Sequence, residues 1–139
     1  VTLERTQGAM GLSDAVVLVN AICDAILGAA CRVDIGVHFQ DTSEEFKNID
    51  SKILLEKTFA IIGKSGYKIG NIDTTICLEV PKIKPYIPAM QKVIANILSV
   101  NENVVSIKAT TSEKMGFVGR EEGVAAYATV LLESTQSPS

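Results

Sequence analysis

Hydroxyls, a carboxylate, two cations and two glycines fall close together in Ala109-Thr110-Thr111-Ser112-Glu113-Lys114-Met115-Gly116-Phe117-Val118-Gly119-Arg120. An apolar, β-branched run, Val104 to Ile107, leads into this stretch. Such a sequence leaves a sheet and wraps a phosphate: threonine hydroxyls and backbone N–H groups donate to the oxygens, and glycine lets the backbone approach closely. The same residues also make a polar hairpin loop, and their chemistry alone does not separate the two readings.

Other residue types narrow the chemistry. The chain of 139 residues holds one histidine, His38, and three cysteines, Cys23, Cys31 and Cys77, without paired spacing. A catalytic zinc site takes three protein ligands drawn mostly from histidine, so one metal cannot receive two imidazoles from this sequence. His38 reads as a packing or surface residue, and the thiols read as reduced in a cytoplasm. Net charge is −3, with no Lys/Arg cluster, which argues against nucleic acid as partner. No apolar run reaches membrane-spanning length and no signal-like leader is visible, so the expected location is cytoplasmic. A composition 47% hydrophobic and 21% charged is that of one globular domain, placed at 1–132 and followed by a disordered polar tail, 133–139.

The elements that must position these groups follow from periodicity. Val1 to Arg5 alternates as a short strand. Ser13 or Asp14 can cap a helix from Ala15 to Ala30 that is apolar nearly all round, with Asn20 and Asp24 four apart on one face. Buried, that pair needs either backbone partners or a ligand. Gly28-Ala29-Ala30 is small enough for close packing. Asp34-Ile35-Gly36 and Phe39-Gln40-Asp41-Thr42 are irregular and polar, suited to sugar hydroxyls or to turns. Asp50 caps a helix over Ser51 to Lys64, whose Ile53, Leu54, Phe59, Ile61 and Ile62 face a core, and Gly66 closes it. A strand runs from Ile69 to Val80, with Ile72, Thr74 and Ile76 alternating against Asp73, Thr75 and Cys77, and Pro81 ends it. A helix from Tyr86 to Leu98 accepts Pro88 in its first turn. Val104 to Thr111 and Val124 to Leu132 complete the strands. This order predicts an α+β fold, helices packed on one face of a mixed sheet.

Separated motifs then agree in order: Ala21-Ile22-Cys23-Asp24-Ala25-Ile26-Leu27-Gly28-Ala29-Ala30, Asp34-Ile35-Gly36, Phe39-Gln40-Asp41-Thr42, Gly70-Asn71-Ile72-Asp73, Pro81-Lys82, the stretch 109–120 and Glu122-Gly123. Together they resemble the 2-C-methyl-D-erythritol 2,4-cyclodiphosphate synthase family of the non-mevalonate isoprenoid pathway, from about Val1 to Leu132. The resemblance implies a homotrimeric phosphorus–oxygen lyase, with active sites between subunits, that cyclises CDP-methylerythritol 2-phosphate and releases CMP. It also implies zinc and a second divalent metal (magnesium or manganese) as family cofactors. It assigns catalytic roles to Thr111, Glu113 (beside the second metal) and Asp34. Ligand contacts go to Ser13, Asp24, Asp34, Gly36, Pro81, Lys82, Ala109, Thr110 and Thr111. Phe117 and Arg120 fall where the family lines a cavity on the threefold axis able to hold an isoprenoid diphosphate, and Tyr127 replaces an acidic residue usual there.

The departures from the family pattern concentrate on the metal side. Family members open with a strand bearing Asp-x-His, two of the three zinc ligands, which has no counterpart in this sequence. The third ligand, a helical histidine, is Asn20 here, and the family's His-Ser-Asp is Leu12-Ser13-Asp14. An acidic position becomes Val16, and Phe-Pro-Asp-Thr becomes Phe39-Gln40-Asp41-Thr42. No resident cofactor is therefore expected. The implied protein is either an impaired cyclodiphosphate synthase, a synthase given without its opening segment, a non-catalytic homologue that keeps cytidine-nucleotide binding, or an engineered trimer scaffold.

Overall fold

The computed structural model describes residues 8–32, 51–78, 83–111 and 124–135, with backbone only for 8–14. Three main helices, α1 (Gly8–Ala29), α2 (Ser51–Lys64) and α3 (Ile87–Ile97), accompany three strands, β1 (Tyr67–Cys77), β2 (Val105–Thr110) and β3 (Ala125–Ser134). The sheet order is β2-β1-β3. β2 lies parallel to β1, with Ile72 opposite Val105 and Cys77 opposite Thr110. β3 is antiparallel to β1 and pairs along nearly its whole length, from Tyr67 opposite Ser134 to Cys77 opposite Ala125. The fold is therefore α+β on a mixed sheet, as the element order predicts.

The helices form one layer on one face of the sheet. α1 packs chiefly on β3, α2 on β1 and α3 on β2, and α2 touches both of its neighbours. Between the layers lie Leu18, Ile22 and Ile26 of α1, Leu55 and Ile62 of α2, Met90 and Ile94 of α3, Ile72 and Ile76 of β1, and Val105 of β2, all essentially inaccessible to water. Each such side chain contributes about 1.5–3 kcal/mol by leaving water. The strands alternate accordingly. Val105 and Ile107 of β2 point inward, while Ser106 and Lys108 are exposed on the other face.

One glycine sets the phase of β1. The register shifts between Ile69 and Asn71, and a Cβ added at Gly70 would stand 3.0 Å from the Leu131 carbonyl oxygen. The bulge inserts one residue, so Ile69 before it and Ile72, Thr74 and Ile76 after it all face the core. At the helix ends, Cys31 (φ 59°) and Ser99 (φ 57°) occupy the left-handed region that glycine favours. In each case a 6→1 hydrogen bond closes the turn, from Arg32 N–H to Leu27 O (2.7 Å) and from Val100 N–H to Ala95 O (3.0 Å).

Several local expectations are corrected. α1 begins at Gly8, so Ser13 and Asp14 lie inside it rather than capping it. Ala9, Met10 and Leu12 favour continued helix over a start at Ala15. Asn20 and Asp24 are exposed, as are Gly28 and Ala29, and nothing lies within 4 Å of a Cβ built on Gly28. The helix thus has a solvent stripe at four-residue spacing, and the small residues there serve no close packing. Ile53, expected in the core, is 42% exposed, and the buried positions of α2 are Leu55, Thr58 and Ile62. β3 runs past Leu132, so Glu133 and Ser134 belong to the sheet, with Glu133 opposite Lys68 and 3.8 Å from its ammonium. The strand expected over Val1 to Arg5 and the Asp50 cap lie outside the described residues.

Candidate functional site

β2 is held by several independent contacts, two of them at its first residues. The Thr74 hydroxyl, buried in β1, donates to the Ser106 carbonyl at 2.9 Å. Gln91 of α3 donates through Nε2 to the Val105 carbonyl at 2.6 Å. On the exposed face, Lys108 Nζ lies 2.8 Å from Asp73 Oδ1. The hydrogen bond from Lys108 holds the Asp73 carboxyl below the usual carboxylate range, outweighing its slight desolvation. Beyond the ladder, the Leu78 N–H donates to the Thr110 carbonyl at 3.0 Å. Thr74, Gln91 and Lys108 are positioning residues that a motif search passes over, because each acts on backbone or on a neighbour. Only the alternation of Thr74 with Asp73 and Thr75 hints at the first.

On this support stand the predicted residues Ala109, half-buried, and Thr110 and Thr111, both exposed. Because β1 and β2 are parallel and Cys77 faces Thr110, the chain leaves both strands at the same end of the sheet, at Leu78 and Thr111. It re-enters there too, since Ala125 pairs with Cys77. The carboxyl ends of neighbouring parallel strands are where open α/β sheets collect ligand-binding segments. The Thr110 hydroxyl donates to the Thr111 carbonyl at 3.4 Å, a long bond that it can exchange for a phosphate oxygen presented at this end. Pro81 and Lys82 follow Leu78 closely in sequence, and Glu113, Phe117 and Arg120 follow Thr111, but all five lie outside the described residues, as do Asp34 and Gly36.

The remaining predicted residues belong to α1. Ser13 lies in its helical backbone. Asn20 and Asp24 share the exposed stripe, one helical turn apart. α1 covers β3, whereas β2 is at the opposite edge of the sheet. The sequence-predicted site is thus divided into two groups, and one chain's described elements do not bring them together.

On the inner side of α1, Cys23 is buried and hydrogen-bonded to Thr58, whose hydroxyl also donates to Leu54 O at 2.9 Å. Burial pushes its thiol up to about 11, only partly opposed by the Thr58 hydrogen bond. A thiol held protonated inside the core is a packing group, not a nucleophile or metal ligand.

A mixed sheet with helices on one face carries, at the end of β2, exposed threonines whose chemistry suits phosphate oxygens, the mark of a small phosphate-ligand domain. The comparisons narrow this class. The YgbB family profile matches residues 1–133. The 2-C-methyl-D-erythritol 2,4-cyclodiphosphate synthase of Bacteroides fragilis is 60% identical over 132 residues, 95% of this chain and 83% of that protein. The synthase of Porphyromonas gingivalis is 53% identical over 95% of this chain and 82% of its own. Among solved structures, the bifunctional IspDF of Campylobacter jejuni superposes with a TM-score of 0.80 at 42% identity, over 85% of this chain and 32% of that longer one. The CDP complex of IspF from Plasmodium falciparum gives 0.75 at 33% identity, over 86% and 72%. The chain belongs to the YgbB family of 2-C-methyl-D-erythritol 2,4-cyclodiphosphate synthases.

That family works with metal ions, and the residues of α1 do not fit a zinc ion. Asn20 offers a neutral amide oxygen from an exposed position on α1, and amide oxygen is a poor zinc ligand. Cys23, three residues on, points into the core and keeps its proton. Among the described residues, no three histidine, cysteine or acidic side chains come together. Nor, among them, is any helix long and apolar enough to cross a membrane.

Proposed function

We propose that this chain keeps the nucleotide-holding part of a cyclodiphosphate-synthase site and lacks an effective metal-holding part, so that alone it binds cytidine diphosphate ligands but turns over CDP-methylerythritol 2-phosphate poorly. The reaction of its relatives is an intramolecular phosphoryl transfer. The 2-phosphate oxygen attacks the β-phosphorus, the bond to the CMP oxygen breaks, and a cyclic diphosphate and CMP result. Positioning and charge stabilisation dominate such a step. Thr110 and Thr111, at a strand end paired with Cys77 and bonded by the Leu78 N–H, orient the diphosphate and donate to oxygens that gain charge. Ala109, Pro81 and Lys82 fit the cytosine side by resemblance. Asp34, Gly36, Ser13 and Asp24 fit the ribose, methylerythritol and diphosphate contacts in the same way, and Glu113 fits the second-metal side.

The observation that carries the reading is Asn20, an exposed amide on α1 at the helical ligand position. It weakens the metal site whatever residues precede Val1. Family metals supply Lewis-acid stabilisation of phosphoryl charge, typically worth several kcal/mol, and a chain without them is correspondingly slow.

The reading includes a homotrimer with each site shared between neighbours. Two observations support it. Among the described residues, the predicted site residues fall at opposite edges of the sheet, and the face away from the helices exposes Tyr127 (67%) and Leu131 (59%), apolar area that an assembly would bury. Phe117 and Arg120 would face the axis of that trimer, where an isoprenoid diphosphate is the candidate guest.

Titration calorimetry with CDP and CMP, alongside zinc analysis after dialysis, tests the proposal. Measurable nucleotide heats with zinc well below one per chain are expected. Absence of heat at about millimolar nucleotide, beyond the range where a specific site would show, overturns the nucleotide half, and stoichiometric zinc overturns the metal half.

A further inference from the structure

What holds the end of β2 differs from what holds its start. The Thr74 hydroxyl and Gln91 grip Ser106 and Val105, and Lys108 is tied to Asp73 in mid-strand. At the end, Cys77 lies opposite Thr110. One residue on, the Leu78 N–H donates to the Thr110 carbonyl at 3.0 Å, the outermost bond between the two strands among the described residues. The Thr110 hydroxyl donates at 3.4 Å to the Thr111 carbonyl beside it, and so ties the end to itself rather than to the sheet. Leu78 is one residue past β1 (Tyr67–Cys77), yet it is only 5% exposed and belongs to the core cluster with Ile76 and Ile83. With Thr74 and Ile76 it continues the inward phase of β1. A side chain locked in the core therefore aims the N–H that reaches furthest along β2.

We propose that Leu78 is a positioning residue of the nucleotide site, its N–H setting the direction in which Thr111 is offered to a diphosphate. The atoms of a peptide link lie in one plane. A bond that fixes the Thr110 carbonyl therefore fixes where the Thr111 nitrogen and Cα stand, and with them the root of the Thr111 side chain. Leu78 acts through Thr111 and not on the ligand, because its own side chain is turned into the core. The inference rests on the nucleotide-holding reading above and deepens it: the grip on the diphosphate depends on a core residue outside every motif. Losing the bond frees the end over its last peptide, and a donor that must be re-ordered on binding holds its phosphate more weakly.

The test replaces Leu78 by its α-hydroxy analogue, which turns the N–H into an ester oxygen and keeps the side chain, and titrates the full chain with CDP. The same exchange at Ile72, opposite Val105 at the far end of the pairing, is the control, since it removes one N–H from the same strand. Both esters should lower the urea midpoint. The Leu78 ester should weaken CDP binding about fivefold, the Ile72 ester less than about twofold. In a Thr111→Ala background the Leu78 ester should add less than about twofold, because its route to the ligand is gone. In the unmodified chain, reciprocity requires the Leu78 amide hydrogen to exchange about fivefold more slowly when CDP is bound. A Leu78 ester that binds CDP within about twofold of the parent, an equal loss from both esters, an undiminished loss in the Thr111→Ala background, or an unchanged exchange rate each overturns the proposal. CDP titration of the unmodified chain comes first: no heat refutes nucleotide-holding and the inference with it, whereas heat with an indifferent Leu78 ester refutes the inference alone.

Discussion

The outer stripe of α1 and the end of β2 are both exposed, both polar and both assigned to the site by resemblance, yet they are supported differently. β2 is held at its first residues by Thr74 and Gln91 through backbone carbonyls, midway by Lys108 through Asp73, and at its end by the ladder to β1 and the Leu78 N–H. Its backbone path is therefore built into the sheet, while its terminal hydroxyls stay exposed. Asn20 stands on a helix whose buried anchorage lies on the opposite side, in Leu18, Ile22 and Ile26. An exposed side chain there can change with little cost to the core. The lesson is that chemistry on a helix's solvent side is the easier kind to lose, because the core does not depend on it.

The contrast can be broken in four ways, in falling order of effect. Ile22→Ala removes a fully buried side chain from the inner side of α1 and should cost about 2–5 kcal/mol in urea unfolding. A cost under about 1 kcal/mol would show that α1 is not anchored as described. The second concerns Cys23. Its folded thiol is pushed up to about 11 from an ordinary 9.0, so the native state holds a proton that the unfolded state releases. Stability is full below about pH 9 and falls as pH rises to about 11, by about 2–3 kcal/mol. Cys23→Ala should flatten that window relative to the parent. Third, Thr111→Ala should weaken CDP binding about tenfold, the loss of one hydrogen bond to a charged group, with the urea midpoint unchanged. Last, Asn20→Ala should raise stability by about 0.5 kcal/mol through helix propensity alone. A clear loss would mean that the outer stripe is structural after all.

Most of the fold was legible because its elements are strongly periodic. Met90 and Ile94 announce α3, and Ile72, Thr74 and Ile76 announce β1. Boundaries were less so. Ser13-Asp14 is a good local cap, but a helix start is chosen by whether the preceding residues also gain by continuing, and here they do. The burial of Asn20 and Asp24 was misjudged because a run rich in valine and isoleucine looks apolar all round. A stripe only one residue wide, at 20, 24 and 28, was enough to face solvent. Glu133 and Ser134 were placed in a tail because both are polar, yet an outward position in a paired strand suits Glu133 when Lys68 stands opposite. For the candidate site, motif resemblance points to Thr110 and Thr111, but the contacts that hold their strand run through the Val105, Ser106 and Thr110 carbonyls, which carry no side-chain signature.

The bulge at Gly70 fixes how β1 aligns with β3. A strand of uniform alternation can slide by two residues along its partner and still present an apolar face. β1 cannot, because its pattern changes parity at Gly70: Ile69 belongs to one phase, and Ile72, Thr74 and Ile76 to the other. Only one alignment with β3 puts both phases inward. The glycine therefore works as a key cut into the central strand, which admits one alignment of the sheet that also carries the β2 end.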